Sequence, residues 1–320
     1  MLNILHLEKD CYSQRTLQKI EEVGLVNYLN TESQVEFINH LENNKYDVIF
    51  AKLGLAINKQ VIDLLPSLKC IVTPTTGLNH IDLKTAEKNN IAVISLKGEV
   101  EILKEVRSTA EHTWMLLLSL IRNLPSALED VKQGGWQRKP FLADELDGKT
   151  IGIIGFGRLG KIIASYALPF NMKVLATDTD KMAFNDKPVH IKEVGLKQLL
   201  IESDIVSLHI PSNETNKNFL DSDKFELMKQ GTVLINTARG EVIDEKALLS
   251  SLKNNKIKAA AVDVLDDDSI WEEKSPKNHA LIQYAQQNSN LIITPHMGGY
   301  GQVSIEKTRD FITDKFINNI

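Results

Sequence analysis

The stretch TIGIIGFGRLGKIIASYAL, residues 150–168, joins an apolar strand pattern, a glycine-rich turn and an apolar helix pattern. Gly155 permits a tight turn, Gly157 lets a pyrophosphate approach the backbone, and Gly160 lets the helix pack closely on the strand. Free N–H groups at the start of the helix favour phosphate charge. The stretch therefore predicts a dinucleotide-binding βαβ unit. Its candidate cofactor residues are Gly155, Phe156, Gly157, Arg158, Leu159 and Gly160.

An acidic residue follows the next strand pattern at the spacing that a nucleotide site requires. Asp178 comes directly after the strand pattern 173–177, eighteen residues beyond Gly160. A carboxylate there accepts hydrogen bonds from the adenosine ribose and would repel a 2′-phosphate. We therefore expect NAD as the cofactor. Asp180 is close enough to compete for this role, but it lies past the strand and is expected to face solvent.

Composition and charge narrow the class of protein. The 320 residues are 42% hydrophobic and 25% charged, as in globular proteins, and are enough for two domains. With 42 acidic and 37 basic residues the net charge is −5, and the sequence has no run of like charges that could follow a phosphate backbone. Nucleic acid is therefore not an expected partner.

The cysteines and the apolar segments indicate whether the protein binds a metal, enters a membrane or is secreted. Cys11 and Cys70 are too few for a disulfide framework and lack zinc spacing, so we expect no metal. The N-terminal sequence MLNILHLEKD does not resemble a signal peptide. The longest largely apolar run, 114–121, is too short to span a bilayer. We expect a cytoplasmic protein that does not enter a membrane.

Two series of alternating strand and helix patterns predict an α/β fold. The expected architecture is a Rossmann-type doubly wound parallel sheet plus a second, flavodoxin-like α/β substrate domain. Residues 1–100 and 297–320 are assigned to the substrate domain and residues 101–296 to the NAD domain. The predicted strands are 4–7, 47–51, 69–73 and 91–95 in the first series, and 150–154, 173–177, 205–209, 232–236, 259–264 and 291–293 in the second.

Helix signals mark the ends of the second series. Ser108 and Glu111 have capping-box spacing ahead of a largely apolar stretch to Leu124, which predicts a helix buried nearly all round. A polar helical segment, 302–317, is expected to pack back on the N-terminal domain. Asp244 is expected to cap a helix, and Trp136 to anchor a loop by burial.

Polar residues follow several further strands of the second series. They are His209 in the segment His209-Ile-Pro211, Arg239 in the sequence Asn236-Thr-Ala-Arg239-Gly240, Asp263, and His296 after Thr294-Pro. Ligands of open α/β sheets bind at the carboxyl ends of the strands, so these segments should converge beside the nicotinamide. A guanidinium such as Arg239 suits bidentate capture of a carboxylate. Of the eight histidines, His296 is the best placed for proton transfer near neutral pH.

The chain resembles the D-isomer-specific 2-hydroxyacid dehydrogenases, the family of phosphoglycerate, glyoxylate/hydroxypyruvate and D-lactate dehydrogenases. The matching motifs, in order, are IGIIGFGRLG (151–160), DIVSLHIP (204–211), MKQGTVLINTARGEVID (228–244) and ITPHMGG (293–299). The resemblance extends over essentially the full length. It implies an oxidoreductase that interconverts a small D-2-hydroxy acid and its 2-keto acid with NAD.

The resemblance also implies roles for individual residues. Arg239 would hold the substrate carboxylate and carbonyl, and His296 would be the general acid/base. Asp263 would lie near the nicotinamide carboxamide, Thr237 and Ala238 would line the nicotinamide pocket, and Thr215, after the His209 motif, is a further cofactor candidate. Thr76 and Gly77 fit a loop whose amides bind the substrate carboxylate, and Lys52 occupies a position often filled by arginine, which suggests a second substrate contact or a solvated cation.

One position departs from the family pattern. The acid that pairs with the histidine is usually a glutamate followed by proline, whereas this chain has Asp268 followed by Ser269. Asp268 is the expected partner of His296, and Asp266, Asp267, Glu272 or Glu273 could substitute for it. The substrate itself, phosphorylated or not, is left open.

Two expectations concern partners and alternatives. The helical region 108–125 is expected to mediate a homodimer. An NAD(H)-sensing binding protein with little turnover, as in corepressors of this fold, is the alternative function, favoured by the altered acid and disfavoured by the intact Arg239 and His296. Formate dehydrogenase, which has the same fold, is disfavoured because this chain lacks the glutamine that usually precedes the catalytic histidine in that enzyme.

Overall fold

The computed structural model describes residues 1–266, 268 and 276–319. These residues form two compact units. One consists of Met1–Val106, Asp268 and the chain from Tyr300 onward, and the other of Arg107–Asp266 with Pro276–Gly299. Both are α/β units built on parallel sheets, which confirms the predicted fold class.

The sheet of the first unit has five parallel strands among the described residues, in the order β2-β1-β3-β4-β5. The strands are β1 (Leu2–His6), β2 (Gly24–Tyr28), β3 (Val48–Phe50), β4 (Cys70–Val72) and β5 (Ala92–Ile94). The sequence predicted four of them and missed β2. This edge strand buries only Gly24 and carries the polar Asn27, so it lacks the apolar run of a central strand.

Helices cover both faces of this sheet. They are α1 (Gln14–Val23), α2 (Gln34–Glu42), α3 (Lys59–Leu64), α4 (Leu83–Lys88), α5 (Val100–Lys104) and α13 (Gln302–Ile317). The last of these contacts α1, α5 and β5, and its Ile312 and Phe316 are buried in the core of this unit. The C-terminal segment therefore packs on the N-terminal domain, as predicted.

The sheet of the second unit has seven parallel strands among the described residues, in the order β12-β11-β10-β9-β6-β7-β8. They are β6 (Thr150–Ile154), β7 (Lys173–Thr177), β8 (Ile191–Glu193), β9 (Ile205–Leu208), β10 (Thr232–Asn236), β11 (Ile257–Val262) and β12 (Leu291–Ile293). The predicted count of six omitted β8. Its sequence, Ile-Lys-Glu, buries only the first residue, so no apolar pattern marks it.

The helices of the second unit are α6 (Ser108–Ile121), α7 (Leu124–Lys132), α8 (Arg158–Ala167), α9 (Leu196–Glu202), α10 (Ser222–Leu227), α11 (Glu245–Lys253) and α12 (Ala280–Ala285). The α6 helix buries Ala110, Leu117 and Ile121 in the main core, as its apolar sequence predicts. Its predicted capping box is wrong. Ser108 is already helical, and its hydroxyl donates to the Gly298 carbonyl at 2.7 Å instead of capping the helix.

Other local predictions have mixed outcomes. Asp244 caps α11 by accepting hydrogen bonds from the Lys246 and Ala247 amides, as expected. Trp136 does not anchor a loop by burial, since 87% of its surface is exposed. In the part of the chain that the structure describes, no helix combines the length and the apolar surface needed to cross a bilayer.

Candidate active site

The glycine turn between β6 and α8 has the geometry that its sequence predicts. Gly155 has a φ of +93°, and a Cβ there would lie 2.5 Å from the His209 carbonyl oxygen. A Cβ on Gly160 would lie 2.1 Å from the Gly155 carbonyl oxygen, which only glycine avoids. A Cβ on Gly157 would meet none of the described atoms within 4 Å. The backbone at Gly157 is therefore open to a ligand at the first turn of α8.

Asp178 follows β7 and closes the turn from the neighbouring strand. Its Oδ2 accepts a hydrogen bond from the Phe156 amide at 2.6 Å, and its Oδ1 accepts one from the Asp180 amide at 2.9 Å. Each carboxylate oxygen can accept about two hydrogen bonds, so Asp178 can also accept ribose hydroxyls. Asp180 is exposed and accepts from the Met182 amide, which agrees with its expected position facing solvent.

The next strand, β9, ends just before His209. The imidazole Nε2 lies 2.9 Å from the Ser207 hydroxyl, and burial lowers the pKa of His209 to about 4. This histidine is therefore neutral near pH 7. Beyond it the chain turns tightly, since the Asn216 side chain donates to the Pro211 carbonyl and the Thr215 hydroxyl donates to Asn213.

Asn236, at the end of β10, shapes the turn that carries Arg239. Its side chain accepts from the Ala238 amide at 3.0 Å and donates to the Arg239 carbonyl at 2.8 Å. The Thr237 hydroxyl lies 2.7 Å from that of Thr113 on α6. The side chain of Arg239 is half-buried and donates one hydrogen bond to the Ala238 carbonyl at 2.6 Å. The remaining guanidinium N–H groups suit a carboxylate.

The turn after β12 carries His296 in a left-handed conformation, with a φ of +52°. Non-glycine residues seldom adopt this conformation. The His296 amide donates to the backbone carbonyl of Asp263 at 2.8 Å. The next two amides, of Met297 and Gly298, donate to the Asp263 carboxylate at 3.0 and 2.7 Å. Asp263, directly after β11, thus holds the turn through three successive N–H groups.

The Asp263 carboxylate is 2% exposed and has further partners. The Thr294 hydroxyl donates to its Oδ1 at 2.6 Å, and His112 Nε2 lies 3.1 Å from the same oxygen. Burial alone would raise the pKa of Asp263, but the hydrogen bonds from His112, Thr294 and Gly298 outweigh it and hold the pKa below its ordinary value. Asp263 is therefore ionised near pH 7.

The predicted substrate residues of the first unit follow β3 and β4. The buried ammonium of Lys52 lies 2.6 Å from a carboxylate oxygen of Glu32. Thr76 is exposed and Gly77 half-buried. A chain of hydrogen bonds supports their loop: the Thr75 hydroxyl donates to the Gly77 carbonyl at 2.8 Å, Thr73 lies 2.9 Å from Thr75, and His80 lies 3.2 Å from Thr73.

The acidic segment after β11 is described only in part. Asp268 is half-buried, and the Asp266 amide donates to Glu245 at 2.9 Å. The alternatives Asp267, Glu272 and Glu273 lie outside the described residues.

Sequence reasoning placed the strand-end residues but missed those that support them. His112, Thr113 and Thr294 bond to Asp263 or Thr237, and the sequence had predicted no individual role in the site for any of them. The available signal was the pair His112 and Thr113, two polar residues directly before the apolar stretch 114–118 of a helix that was predicted to be buried nearly all round. Polar groups in such a position need buried partners.

In this unit the glycine turn, Asp178, His209, Arg239, Asp263 and His296 all follow the carboxyl ends of strands in one parallel sheet. This arrangement defines a Rossmann-type dinucleotide-binding fold. Residues 114–298 match the family described as D-isomer specific 2-hydroxyacid dehydrogenase, NAD binding domain. The chain belongs to this family, as its motifs predicted, and its cofactor is NAD.

Individual relatives agree with this membership. The chain is 32% identical to the hydroxypyruvate reductase of Thermotoga maritima over 277 residues, which cover 84% of this chain and 86% of the relative. It is 32% identical to the D-3-phosphoglycerate dehydrogenase of Methanocaldococcus jannaschii over 294 residues, 91% of this chain but 53% of the relative. The match to the D-3-phosphoglycerate dehydrogenase of Archaeoglobus fulgidus covers 45% of that protein. The chain thus spans about half the length of these phosphoglycerate dehydrogenases.

A solved structure aligns with this chain over nearly its full length. The D-lactate dehydrogenase from Aquifex aeolicus, complexed with NAD and lactic acid, aligns with a TM-score of 0.79 and 28% sequence identity. The alignment covers 99% of this chain and 96% of the other.

Proposed function

We propose that this chain interconverts a small D-2-hydroxy acid and its 2-keto acid with NAD(H). The observation that carries the proposal is the position of Arg239 and His296. Both lie on turns at the carboxyl edge of the sheet whose glycine turn marks the cofactor site. A cation for the carboxylate and an imidazole for the proton are the two groups that such a reaction requires of the protein.

The residues of the second unit fit the cofactor. The open backbone at Gly157 and the first amides of α8 suit the pyrophosphate, and Asp178 suits the adenosine ribose. The other candidates for holding the dinucleotide are Gly155, Phe156, Arg158, Leu159, Gly160, His209, Pro211, Thr215, Thr237, Ala238 and Asp263. When bound as NADH, the cofactor supplies the hydride that reduces the keto acid.

Arg239 binds the substrate and fixes its orientation. Its guanidinium binds the carboxylate, and the same cation polarises the adjacent carbonyl. The carbonyl of Arg239 itself is held by Asn236, so the base of the side chain is fixed by the turn. Orientation of this kind lowers the entropic cost of the reaction.

His296 transfers the proton. In the direction of reduction, its protonated imidazole would donate a proton to the carbonyl oxygen, which becomes the hydroxyl oxygen of the product. In the direction of oxidation, the neutral imidazole removes the hydroxyl proton. Met297 and Gly298, the next residues, are fixed to Asp263, so the backbone that carries the imidazole is rigid.

Asp268 is proposed to pair with His296 in place of the family's glutamate. A carboxylate that pairs with an imidazole favours its protonated form. Asp268→Asn should therefore shift the pH profile of the reduction toward lower pH. An unchanged pH profile and rate in this variant would exclude the role.

Lys52, Thr76 and Gly77 are proposed as substrate residues of the first unit. The backbone amides of the loop at Thr76 and Gly77 suit a carboxylate. The hydrogen bonds of Thr73, Thr75 and His80 stabilise the conformation of this loop. Relatives named hydroxypyruvate reductase, glyoxylate reductase and D-3-phosphoglycerate dehydrogenase indicate small anionic acids as the substrate class.

We also propose that the chain forms a homodimer through the 108–125 region and the adjoining α7. All nine residues of α7 are described and none is buried, although Leu124, Leu128 and Val131 are apolar. Met115 on α6 is 47% exposed. Covering such a surface with a second copy removes apolar area from water. Leu128→Glu should yield monomers in analytical ultracentrifugation, whereas the wild type should sediment as a dimer.

A turnover assay tests the proposed activity. The protein is incubated with NADH and, separately, with glyoxylate, pyruvate, hydroxypyruvate and phosphohydroxypyruvate, while absorbance at the NADH band is followed. Consumption of NADH with formation of the 2-hydroxy acid is the expected result, and the product should be the D isomer for every keto acid except glyoxylate, whose product is achiral. Binding of NADH without consumption in the whole panel would favour the sensing alternative.

A further inference from the structure

His112 lies on α6 with its side chain buried against the turn that carries His296. Its Nε2 is 3.1 Å from Asp263 Oδ1 and 3.0 Å from the Thr294 hydroxyl oxygen. The Thr294 hydroxyl donates its own hydrogen to Asp263. Both neighbours of Nε2 are therefore acceptors toward it, and His112 carries the hydrogen on Nε2 and donates it.

The recipient of this hydrogen bond organises the turn. Asp263 Oδ1 accepts from the Met297 amide, Oδ2 accepts from the Gly298 amide, and the Asp263 carbonyl accepts from the His296 amide. These bonds fix the backbone on both sides of the His296 side chain. They also hold His296 at a φ of +52°, which costs free energy unless the surroundings enforce it.

The same helix contacts the turn at a second point. The Ser108 hydroxyl, one turn before His112, donates to the Gly298 carbonyl at 2.7 Å. A Cβ on Gly298 would lie 2.8 Å from Asp263 Oδ2 and 3.5 Å from the His112 ring. The helix, the carboxylate and the turn are thus packed without room for an additional methyl group.

We propose that His112 is a positioning residue, which orients Asp263 and through it holds the His296 turn in the conformation that proton transfer requires. The inference rests on the proposed function for the role of His296. It assigns no substrate contact to His112. Without the Nε2 donor, the buried carboxylate loses one of its hydrogen bonds and can rotate, and the Met297 and Gly298 amides lose a fixed acceptor.

Two substitutions separate the donor from the volume of the ring. His112→Leu removes the hydrogen bond, whereas His112→Gln places an amide N–H at a similar reach from the backbone. Leu117→Val, in the buried face of the same helix, perturbs the core without touching Asp263 and serves as the matched control. Melting temperatures of all three variants record any general loss of stability.

The first readout needs no substrate. Amide hydrogen exchange of Met297 and Gly298 is followed by NMR in the ligand-free protein. We expect at least tenfold faster exchange in His112→Leu, near-native exchange in His112→Gln, and no change in Leu117→Val. Equal exchange in wild type and His112→Leu would overturn the inference.

The second readout is the reaction itself, with a 2-keto acid from the turnover panel and NADH or its 4-deuterated form. His112→Leu should lower kcat at least tenfold, with little change in KM, and should increase the deuterium isotope effect as the chemical step becomes limiting. His112→Gln should recover most of kcat. A loss of kcat that merely follows the melting temperature, as in Leu117→Val, would contradict the positioning role.

The two readouts distinguish this inference from the proposed function. Faster exchange in His112→Leu, together with a wild-type protein that turns over none of the keto acids, would refute the proposed activity while supporting the structural role of His112. Turnover by the wild type that His112→Leu leaves unchanged would refute the positioning role alone.

Discussion

Asp263 shows how far single residues can be interpreted from sequence. The resemblance placed it beside the nicotinamide, and the structure shows it bonded to His112, Thr294 and the amides of the His296 turn. Its Oδ1 accepts three hydrogen bonds among the described residues, whereas its Oδ2 accepts one, so Oδ2 can still accept a carboxamide N–H. The position after β11 was predictable from the strand pattern. The hydrogen-bond partners of its carboxylate were not predictable, because they lie more than thirty residues away in sequence, in α6 and in the turn after β12.

The proposed role of Arg239 in binding the substrate can be tested with a single substitution. Replacement by lysine keeps the positive charge but loses the planar pair of N–H groups. Loss of one charge-assisted hydrogen bond, worth about 1.5–3 kcal/mol, should lower kcat/KM for the keto acid roughly tenfold to a hundredfold. Steady-state kinetics measure this effect, with the dissociation constant of NADH expected to stay the same.

Arg15→Lys, on the exposed surface of α1, is the control for the chemical change itself and should leave the kinetics unaltered. A keto-acid kcat/KM in Arg239→Lys equal to that of the wild type would remove Arg239 from the substrate site.

Secondary structure elements were predictable where burial leaves a pattern. Central strands such as β6 and β10 are mostly apolar and almost fully buried, and both were predicted with their observed bounds. The strands missed, β2 and β8, lie at sheet edges and bury few residues. The start of α6 was misinterpreted because Ser108 has the spacing of a cap, while its hydroxyl bonds to Gly298, which is distant in sequence.

Two glycines at the junction of β6 and α8 allow the effect of a substitution on packing to be measured separately from its effect on cofactor binding. Gly160→Ala would place a methyl group 2.1 Å from the Gly155 carbonyl, so we expect a loss of about 1–3 kcal/mol in the free energy of unfolding. Gly157 has a φ of −72° and open space at its Cβ, so Gly157→Ala should fold with nearly native stability. It should nevertheless bind NADH at least about tenfold more weakly, because the methyl group occupies the approach to the pyrophosphate.

Urea denaturation and calorimetric titration with NADH measure the two effects separately. Native NADH affinity in Gly157→Ala, or native stability in Gly160→Ala, would contradict the assigned roles.

For the whole molecule, each unit contains a buried histidine that links stability to pH. Burial, followed by the charge of Arg309, lowers the pKa of His6 to about 3, and burial lowers that of His209 to about 4. In the unfolded chain both have a pKa near 6.5. Below that value the unfolded state takes up protons that the folded state does not, so stability falls as the pH decreases from about 6.5 toward these folded-state values.

His6→Asn should reduce this dependence in the first unit. At pH 5 it removes nearly one proton of linked uptake, which corresponds to a slope of about 1.4 kcal/mol per pH unit. The free energy of unfolding, measured between pH 4 and 7, should therefore vary less steeply than in the wild type. Tyr12→Phe is the matched control, since Tyr12 packs edge-on against His6 and its raised pKa places its titration far above this range. Identical slopes in His6→Asn and wild type would contradict the account.

The central claim is that His296 transfers the proton in an NAD-dependent reaction of a 2-hydroxy acid. The direct test is the single-turnover rate of NADH oxidation by a 2-keto acid in His296→Asn compared with the wild type, together with the NADH dissociation constant of each. General acid/base catalysis contributes about 10²–10⁴-fold, so we expect a rate loss in this range with unchanged NADH affinity. A His296→Asn protein that oxidises NADH at the wild-type rate would contradict the claim.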